Sequence, residues 1–202
     1  MGAAIDLIRS TGVEIYIVGG TVRDHFLNVQ PSDLDIIVPN DDTVVSSLLD
    51  ERYPSRTNRH GNKRYWVDGR NIDVIRPKFF YKPFTCAEDA IGYFDVSINA
   101  MGVRLADGLL IDTGGGMDDI AARRIRITRQ RWQEANDFEF VHLMLRTLRY
   151  TQKYHLRFFD HDVIASGIHR LQLVNWDEVW RFHSLTREQA TEQLSQLANA
   201  PT

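Results

Sequence analysis

Val18-Gly19-Gly20-Thr21-Val22-Arg23-Asp24, followed by Ser32-Asp33-Leu34-Asp35-Ile36-Ile37-Val38, decides how this chain folds. Val13 to Val18 is β-branched and aromatic and stops at Gly19-Gly20, which predicts a strand running into a tight bend. Thr21 suits a helix N-cap, and Val22 to Leu27 fits a short helix. Pro31-Ser32 then breaks the chain before a second strand over Leu34 to Val38. Two glycines after a strand let the backbone approach phosphate oxygens with no Cβ in the way. The helix that follows aims free N–H groups at the same place. Arg23 supplies a planar, permanently charged fork for phosphate. Residues two apart on a strand share a face, so Asp33 and Asp35 converge. Crowded carboxylates repel unless a divalent cation lies between them, and magnesium is held in this way at phosphoryl-transfer sites. A lone Gly-Gly is a turn and a lone Asp-x-Asp a solvated loop; the two together, in strand–bend–helix–strand order, carry the information. Asp35 also sits within the apolar run DLDIIV, where a carboxylate is unfavourable without a partner.

Working outward, Ala3 to Ser10 and Asp41 to Glu51 fit helices, the second with an acidic first turn that suits the helix dipole. Asp68-Gly69 between Lys63–Val67 and Asn71–Arg76 is a strong hairpin signal, and Asp107-Gly108 between Ile98–Arg104 and Leu109–Ile111 is a second. Short helices are expected near Thr85 to Ala90 and Met117 to Ala122. From Ile127 onward strand signals stop and apolar spacing turns helical, with further helices over Asn175 to Phe182 and Arg187 to Leu197. The expected fold class is α+β: a mixed β-sheet of five or so strands with flanking helices, followed by a short helical segment. A soft boundary near Thr128 separates a head, residues 1–128, from a helical neck-like segment, residues 129–202.

The chain has 202 residues and a formal net charge of −3, which argues against coating nucleic acid through bulk charge. Local basic strips at Arg52 to Arg76 and Arg123 to Arg131 still suit one polyanion site. One cysteine, Cys86, excludes an internal disulfide framework and fits a reducing cytoplasm. No apolar run of about 18 residues is present, so no membrane span is expected. The seven histidines lack metal-ligand spacing, and His60 beside Arg59 reads as a surface loop residue. Trp176 and Trp180, four apart, read as helix packing rather than base stacking.

GGTVRD followed by SDLDIIV resembles the signature of the class II CCA-adding enzymes and bacterial poly(A) polymerases, members of the polymerase-β-like nucleotidyltransferases. Phe94-Asp95-Val96-Ser97-Ile98-Asn99-Ala100 is similar to that family's second motif, and Leu110-Ile111-Asp112 with Asp118-Asp119-Ile120 to its third. By this resemblance Asp95 holds the nucleotide ribose, and Asn99 the surrounding backbone or phosphates. Two departures stand out. The family's arginine pair before the second-motif Asp is Tyr93-Phe94 here, and Arg59, Lys63, Arg64 or Arg76 are the substitutes available. The Asp and Arg that template the incoming base are replaced by Phe140 and Leu143 in Glu139-Phe140-Val141-His142-Leu143. The family's body and tail domains have no counterpart in these residues.

The resemblance implies a metal-dependent nucleotidyltransferase: a hydroxyl attacks the α-phosphate of a nucleoside triphosphate such as ATP, and pyrophosphate leaves. Asp33 and Asp35 are the expected ligands of two magnesium ions (Mg2+), and Gly19, Gly20 and Arg23 the triphosphate cradle. Asp73, on a strand expected beside Asp35, is the candidate third carboxylate; the competing reading is a solvent-facing strand residue. The expected acceptor is an RNA 3′ end, tRNA first, with a partner subunit available to supply RNA-binding domains. A small molecule or protein acceptor is the alternative within enzymes, and a non-catalytic nucleotide- or RNA-binding module the alternative outside them.

Overall fold

In a computed structural model, residues 2–40, 43–58, 61–158 and 160–198 are described. Asp41, Arg59 and His60, named above, lie outside the described residues. The chain forms two compact units, Met1–Phe94 with Asn99–Gly114, and Asp95–Ile98 with Gly115–Thr202.

The first unit runs α1 (Gly2–Arg9), β1 (Tyr16–Val18), α2 (Gly20–Phe26), β2 (Asp33–Ile37), α3 (Thr43–Asp50), β3 (Ser55–Thr57), β4 (Lys63–Val67) and β5 (Arg70–Ile75). It continues with α4 (Ala87–Gly92), β6 (Met101–Arg104) and β7 (Leu110–Asp112). These strands form a seven-stranded mixed sheet in the order β3-β4-β5-β2-β1-β6-β7. β2 and β5 are parallel, and the other neighbours are antiparallel. The period-two alternation of β2 divides its side chains between two cores. Leu34 and Ile36 join Ile72, Val74, Tyr65 and Val67 against Ala4 and Ile8 of α1 and Val45 and Leu49 of α3. On the other face Ile37, Tyr16 and Val18 pack on Ala87, Ala90 and Ile91 of α4. Gly102 permits that second contact, because a Cβ there would lie 2.5 Å from Ile91 Cδ1.

The sheet is wider than the five or so strands expected. Ser55–Thr57 is short and exposed, so it carries no apolar alternation to read, yet it pairs with β4 along the sheet edge. Both hairpins form. Asp68 and Gly69 take φ of 49° and 79°, the double positive φ that a two-residue turn of this hand requires. Ile98 and Asn99 belong to a 3-10 turn rather than to β6. Thr21 is not the N-cap of α2; Gly19 is, and the Thr21 hydroxyl is used elsewhere.

The second unit holds α5 (Gly116–Ala121), β8 (Arg124–Ile125), α6 (Arg129–Glu134), α7 (Asp137–Tyr154), β9 (Arg157–Phe158), α8 (His161–Arg170), α9 (Trp176–His183) and α10 (Arg187–Ala198). Strand structure does not end at Ile127: β9 pairs in parallel with β8, and Val96 bridges Ile127. A two-residue strand is too short to show a period. The eighteen-residue α7 starts in a capping box, with Asn136 accepting from the Glu139 N–H and Glu139 accepting in return. Among the described residues no helix is long and apolar enough to cross a membrane.

Candidate active site

One row of side chains crosses the sheet of the first unit on the face that carries α4. Register places Arg56 of β3 opposite Arg64 of β4, Arg64 opposite Asp73 of β5, Asp73 beside Asp35 of β2, and Asp35 opposite Val18 of β1. Paired positions point to the same face, so the row reads cation, cation, carboxylate, carboxylate, then the apolar floor. Asp33, two residues back along β2, shares the face with Asp35, and both are half-buried.

The diglycine bend adjoins these carboxylates. It continues β1 beyond Val18 and is tied to neighbouring strands by hydrogen bonds. The Thr21 hydroxyl donates to the Asp33 carbonyl at 3.0 Å, and the Gly19 N–H donates to the Met101 carbonyl at 3.1 Å. Gly19 has φ 64° and ψ −128°, a conformation that disfavours any side chain. Space excludes one too, because a Cβ on Gly19 would lie 2.9 Å from Phe94 Cε1. Phe94 therefore packs directly on the bend.

Arg23 is buried against the bend. It is 6% exposed. Its Nε donates to Asp24 Oδ1 at 2.8 Å and its Nη1 to Asn99 Oδ1 at 2.7 Å. A Cβ on Gly20 would meet Arg23 Nη2 at 3.2 Å, so the guanidinium backs the glycines closely. Asn99 is thus joined to the diglycine bend through Arg23, a link that no sequence spacing indicates.

Asp73 is buried rather than solvent-facing, at 6% exposed. Both its oxygens are engaged by Arg64: Nε donates to Oδ1 at 2.7 Å, and Nη2 donates to Oδ2. This fork-to-fork pair, with the further fields of Asp33 and Asp35, raises the Arg64 pKa above its ordinary value. Asp95 belongs to the second unit, where it is ion-paired with Arg146 Nε at 2.8 Å and accepts from the Val96 N–H at 3.1 Å.

The two departures in sequence have structural counterparts. Tyr93 and Phe94 join Phe80, whose ring centroid lies 6.2 Å from Tyr93 and 6.0 Å from Phe94, and Lys82 stands over Tyr93 at 5.0 Å. Phe140 and Leu143 are core residues of α7, with no edge available to a base. Of the two tryptophans of α9, Trp176 donates to the Leu185 carbonyl at 2.9 Å, while Trp180 is exposed rather than packed.

Asp33 and Asp35 offer hard oxygen donors on one face, the donor set that magnesium prefers. Among the described residues no group of three or more His, Cys, Asp or Glu is assembled as a metal cage. Two carboxylates completed by substrate phosphates and water fit such an ion; a closed protein site is not what this face provides.

Residues 15–126 match the model of the poly A polymerase head domain, which is more than half of the chain. The chain belongs to that family. It is 29% identical to the CCA-adding enzyme of Latilactobacillus sakei over 133 residues, covering 60% of this chain and 33% of that protein. It is 31% identical to the CC-adding tRNA nucleotidyltransferase of Deinococcus radiodurans over 147 residues, covering 62% of this chain and 38% of that one. Among solved structures it superposes on a CCA-adding enzyme in complex with CTP, with a TM-score of 0.72, 20% identity and coverage of 97% of this chain and 51% of that one. It also superposes on the Thermotoga maritima CCA-adding enzyme complexed with tRNA, with a TM-score of 0.68, 19% identity and coverage of 96% and 49%. These likenesses establish the mixed-sheet fold with flanking helices. The chain spans about a third of the length of the curated relatives it matches, and about half of the solved chains.

Proposed function

We propose that this chain is the catalytic head of a metal-dependent nucleotidyltransferase, which moves a nucleoside monophosphate from a nucleoside triphosphate to the 3′ hydroxyl of an RNA, tRNA first among acceptors. The observation that carries this reading is the placement of Asp33 and Asp35 on one face beside the diglycine bend. Asp33 and Asp35 would hold magnesium, two ions in the full reading. When bound, the metal would lower the pKa of the acceptor hydroxyl and neutralise charge on the departing pyrophosphate. The protein's own part is binding and orientation. Gly19 and Gly20 would receive the triphosphate through their backbone N–H groups at the start of α2, with Phe94 packed on the bend beside Gly19. Arg23 would complete the triphosphate cradle, its guanidinium held against the bend by Asp24 and Asn99. A functional head of residues 1–128 and a neck of 129–202 go with this proposal, as does an RNA grip supplied by other domains or a partner subunit. The working compartment proposed is the cytoplasm.

A second reading is favoured by one pair of observations. Phe140 and Leu143 are buried, and Tyr93-Phe94 is aromatic, so base selection by a protein template is not built here. A non-catalytic nucleotide- or RNA-binding module would tolerate that loss. One assay separates the two: magnesium, each of the four α-labelled triphosphates and tRNA lacking its 3′-terminal nucleotides. Label transfer reduced by roughly a hundredfold to a thousandfold in Asp35→Ala supports the enzyme. Triphosphate binding with no transfer to any acceptor supports the module.

A further inference from the structure

We propose that Arg64 is a binding residue for the outer phosphates of the triphosphate, held in position by Asp73, and that Asp73 serves as its positioning partner rather than as a third metal ligand. This rests on the nucleotidyltransferase reading above and deepens it.

Four observations carry the proposal. First, both Asp73 oxygens are engaged by Arg64 Nε and Nη2. A carboxylate gripped at both oxygens by a guanidinium has poor geometry left for a metal. Second, the grip leaves Nη1 outside the pair, and Arg64 Nη1 donates to none of the described residues. The Arg64 side chain keeps 28% exposure, whereas that of Asp73 has 8%. The pair therefore presents one guanidinium edge to solvent and hides the carboxylate behind it. Third, that edge stands on the row that contains Asp35, one strand beyond Asp73. Neighbouring strands lie about 4.8 Å apart, so the Arg64 and Asp35 backbones are separated by about 10 Å, a distance spanned by the two side chains and a phosphate between them. Fourth, Arg56 continues the row as an exposed cation on β3, so positive charge extends away from the carboxylates to the sheet edge.

The chemistry of the ligand follows from this order. A metal-bound phosphate belongs at the Asp33–Asp35 end, and a second, more outlying phosphate belongs at Arg64. Charge-assisted bonds from a planar guanidinium are the strong way to hold such a group, and a guanidinium locked in one rotamer by Asp73 loses little entropy on binding it. The aromatic pair Tyr93-Phe94 itself carries no guanidinium. Arg64 offers one from across the sheet.

The test is equilibrium binding of ATP and CTP, and of AMP and CMP, in magnesium, with the wild type, Arg64→Met, Arg64→Lys, Asp73→Asn and the Arg64→Met/Asp73→Asn double variant. Transfer kinetics are run on the same proteins. Arg64→Met is expected to weaken triphosphate binding by roughly tenfold to a hundredfold and to leave monophosphate binding unchanged. Arg64→Lys keeps a charge without the fork and is expected to fall between. Asp73→Asn should raise KM with kcat little changed, and the double variant should be no worse than Arg64→Met alone. The double variant removes both charges together, which keeps the test open if an unpaired buried Asp73 prevents Arg64→Met from folding. Unchanged triphosphate affinity in the folded variants overturns the Arg64 assignment while the wild type still transfers label. Loss of kcat at unchanged KM in Asp73→Asn makes Asp73 a metal ligand and overturns the partnership. A wild type that binds no triphosphate overturns the nucleotidyltransferase reading itself, and Arg64 falls with it.

Discussion

Replacing His183 by glutamine removes a group whose neutral form the fold enforces. His183 lies at the end of α9, buried, with Nε2 at 2.9 Å from Nδ1 of His142 on α7, and its own Nδ1 has no hydrogen-bond partner among the described residues. Burial first, then His142, Arg149 and Arg146, push its pKa down from 6.5 to about 3. In the unfolded chain the same imidazole takes a proton near its ordinary pKa. The unfolded state therefore binds more protons below that value, and stability from this residue is full above about pH 6.5 and lost as pH falls toward 3. Each pH unit inside that window is worth about 1.4 kcal/mol, so the loss between pH 7 and pH 5 comes to about 2 kcal/mol. The glutamine side chain would not titrate and could still bond to His142. Urea unfolding followed by tryptophan fluorescence, at matched ionic strength and pH 7, 6 and 5, reads the difference. The wild type is expected to lose about 2 kcal/mol more than His183→Gln across that range, with most of it below pH 6. Parallel stability curves for the two proteins would refute the enforced neutrality of His183.

Gly19→Ala places a Cβ against the Phe94 ring at a positive φ, and is expected to cost about 1–3 kcal/mol in urea unfolding and to weaken triphosphate binding. Asp119 is fully buried and accepts from Arg124 Nε at 2.6 Å and Arg126 Nε at 2.9 Å. Asp119→Ala removes the buried carboxylate that Arg124 and Arg126 share, and thermal or urea unfolding should register a loss of about 1–3 kcal/mol. Asn136→Ala removes the cap of α7, and the same measurement should give a loss of about 1 kcal/mol.

The parts of this fold that were legible in sequence are those where local chemistry leaves one choice. Gly19-Gly20 after an apolar run, and Asp68-Gly69 between two others, dictate bends whose positive φ values other residues resist. The alternation of Asp33-Leu34-Asp35-Ile36 fixed which side chains share a face, and the structure keeps that division. What stayed hidden depends on partners distant in sequence. Ser55–Thr57 and Arg157–Phe158 become strands only because β4 and β8 offer edges to them. The placement of Arg23 against the glycines rests on Asn99, far along the chain. Phe94 against Gly19 is likewise a tertiary contact, foreshadowed only by the absence of a side chain at Gly19. One hidden feature did have a signal. A two-residue turn at Asp68-Gly69 pairs Val67 with Arg70, and counting back along both strands puts Arg64 opposite Asp73. That arithmetic, applied to the hairpin, sets Arg64 rather than Lys63 opposite Asp73.

The claim on which the account turns is that Asp33 and Asp35 together hold a divalent ion with the triphosphate. Manganese substitutes for magnesium at oxygen sites and reports its own binding by electron paramagnetic resonance. With a non-hydrolysable triphosphate present, the wild type is expected to bind manganese beyond what the free nucleotide takes up, and the Asp33→Asn/Asp35→Asn double variant, shown to be folded, is expected to lose that bound signal. Equal manganese binding by the two proteins would contradict the account.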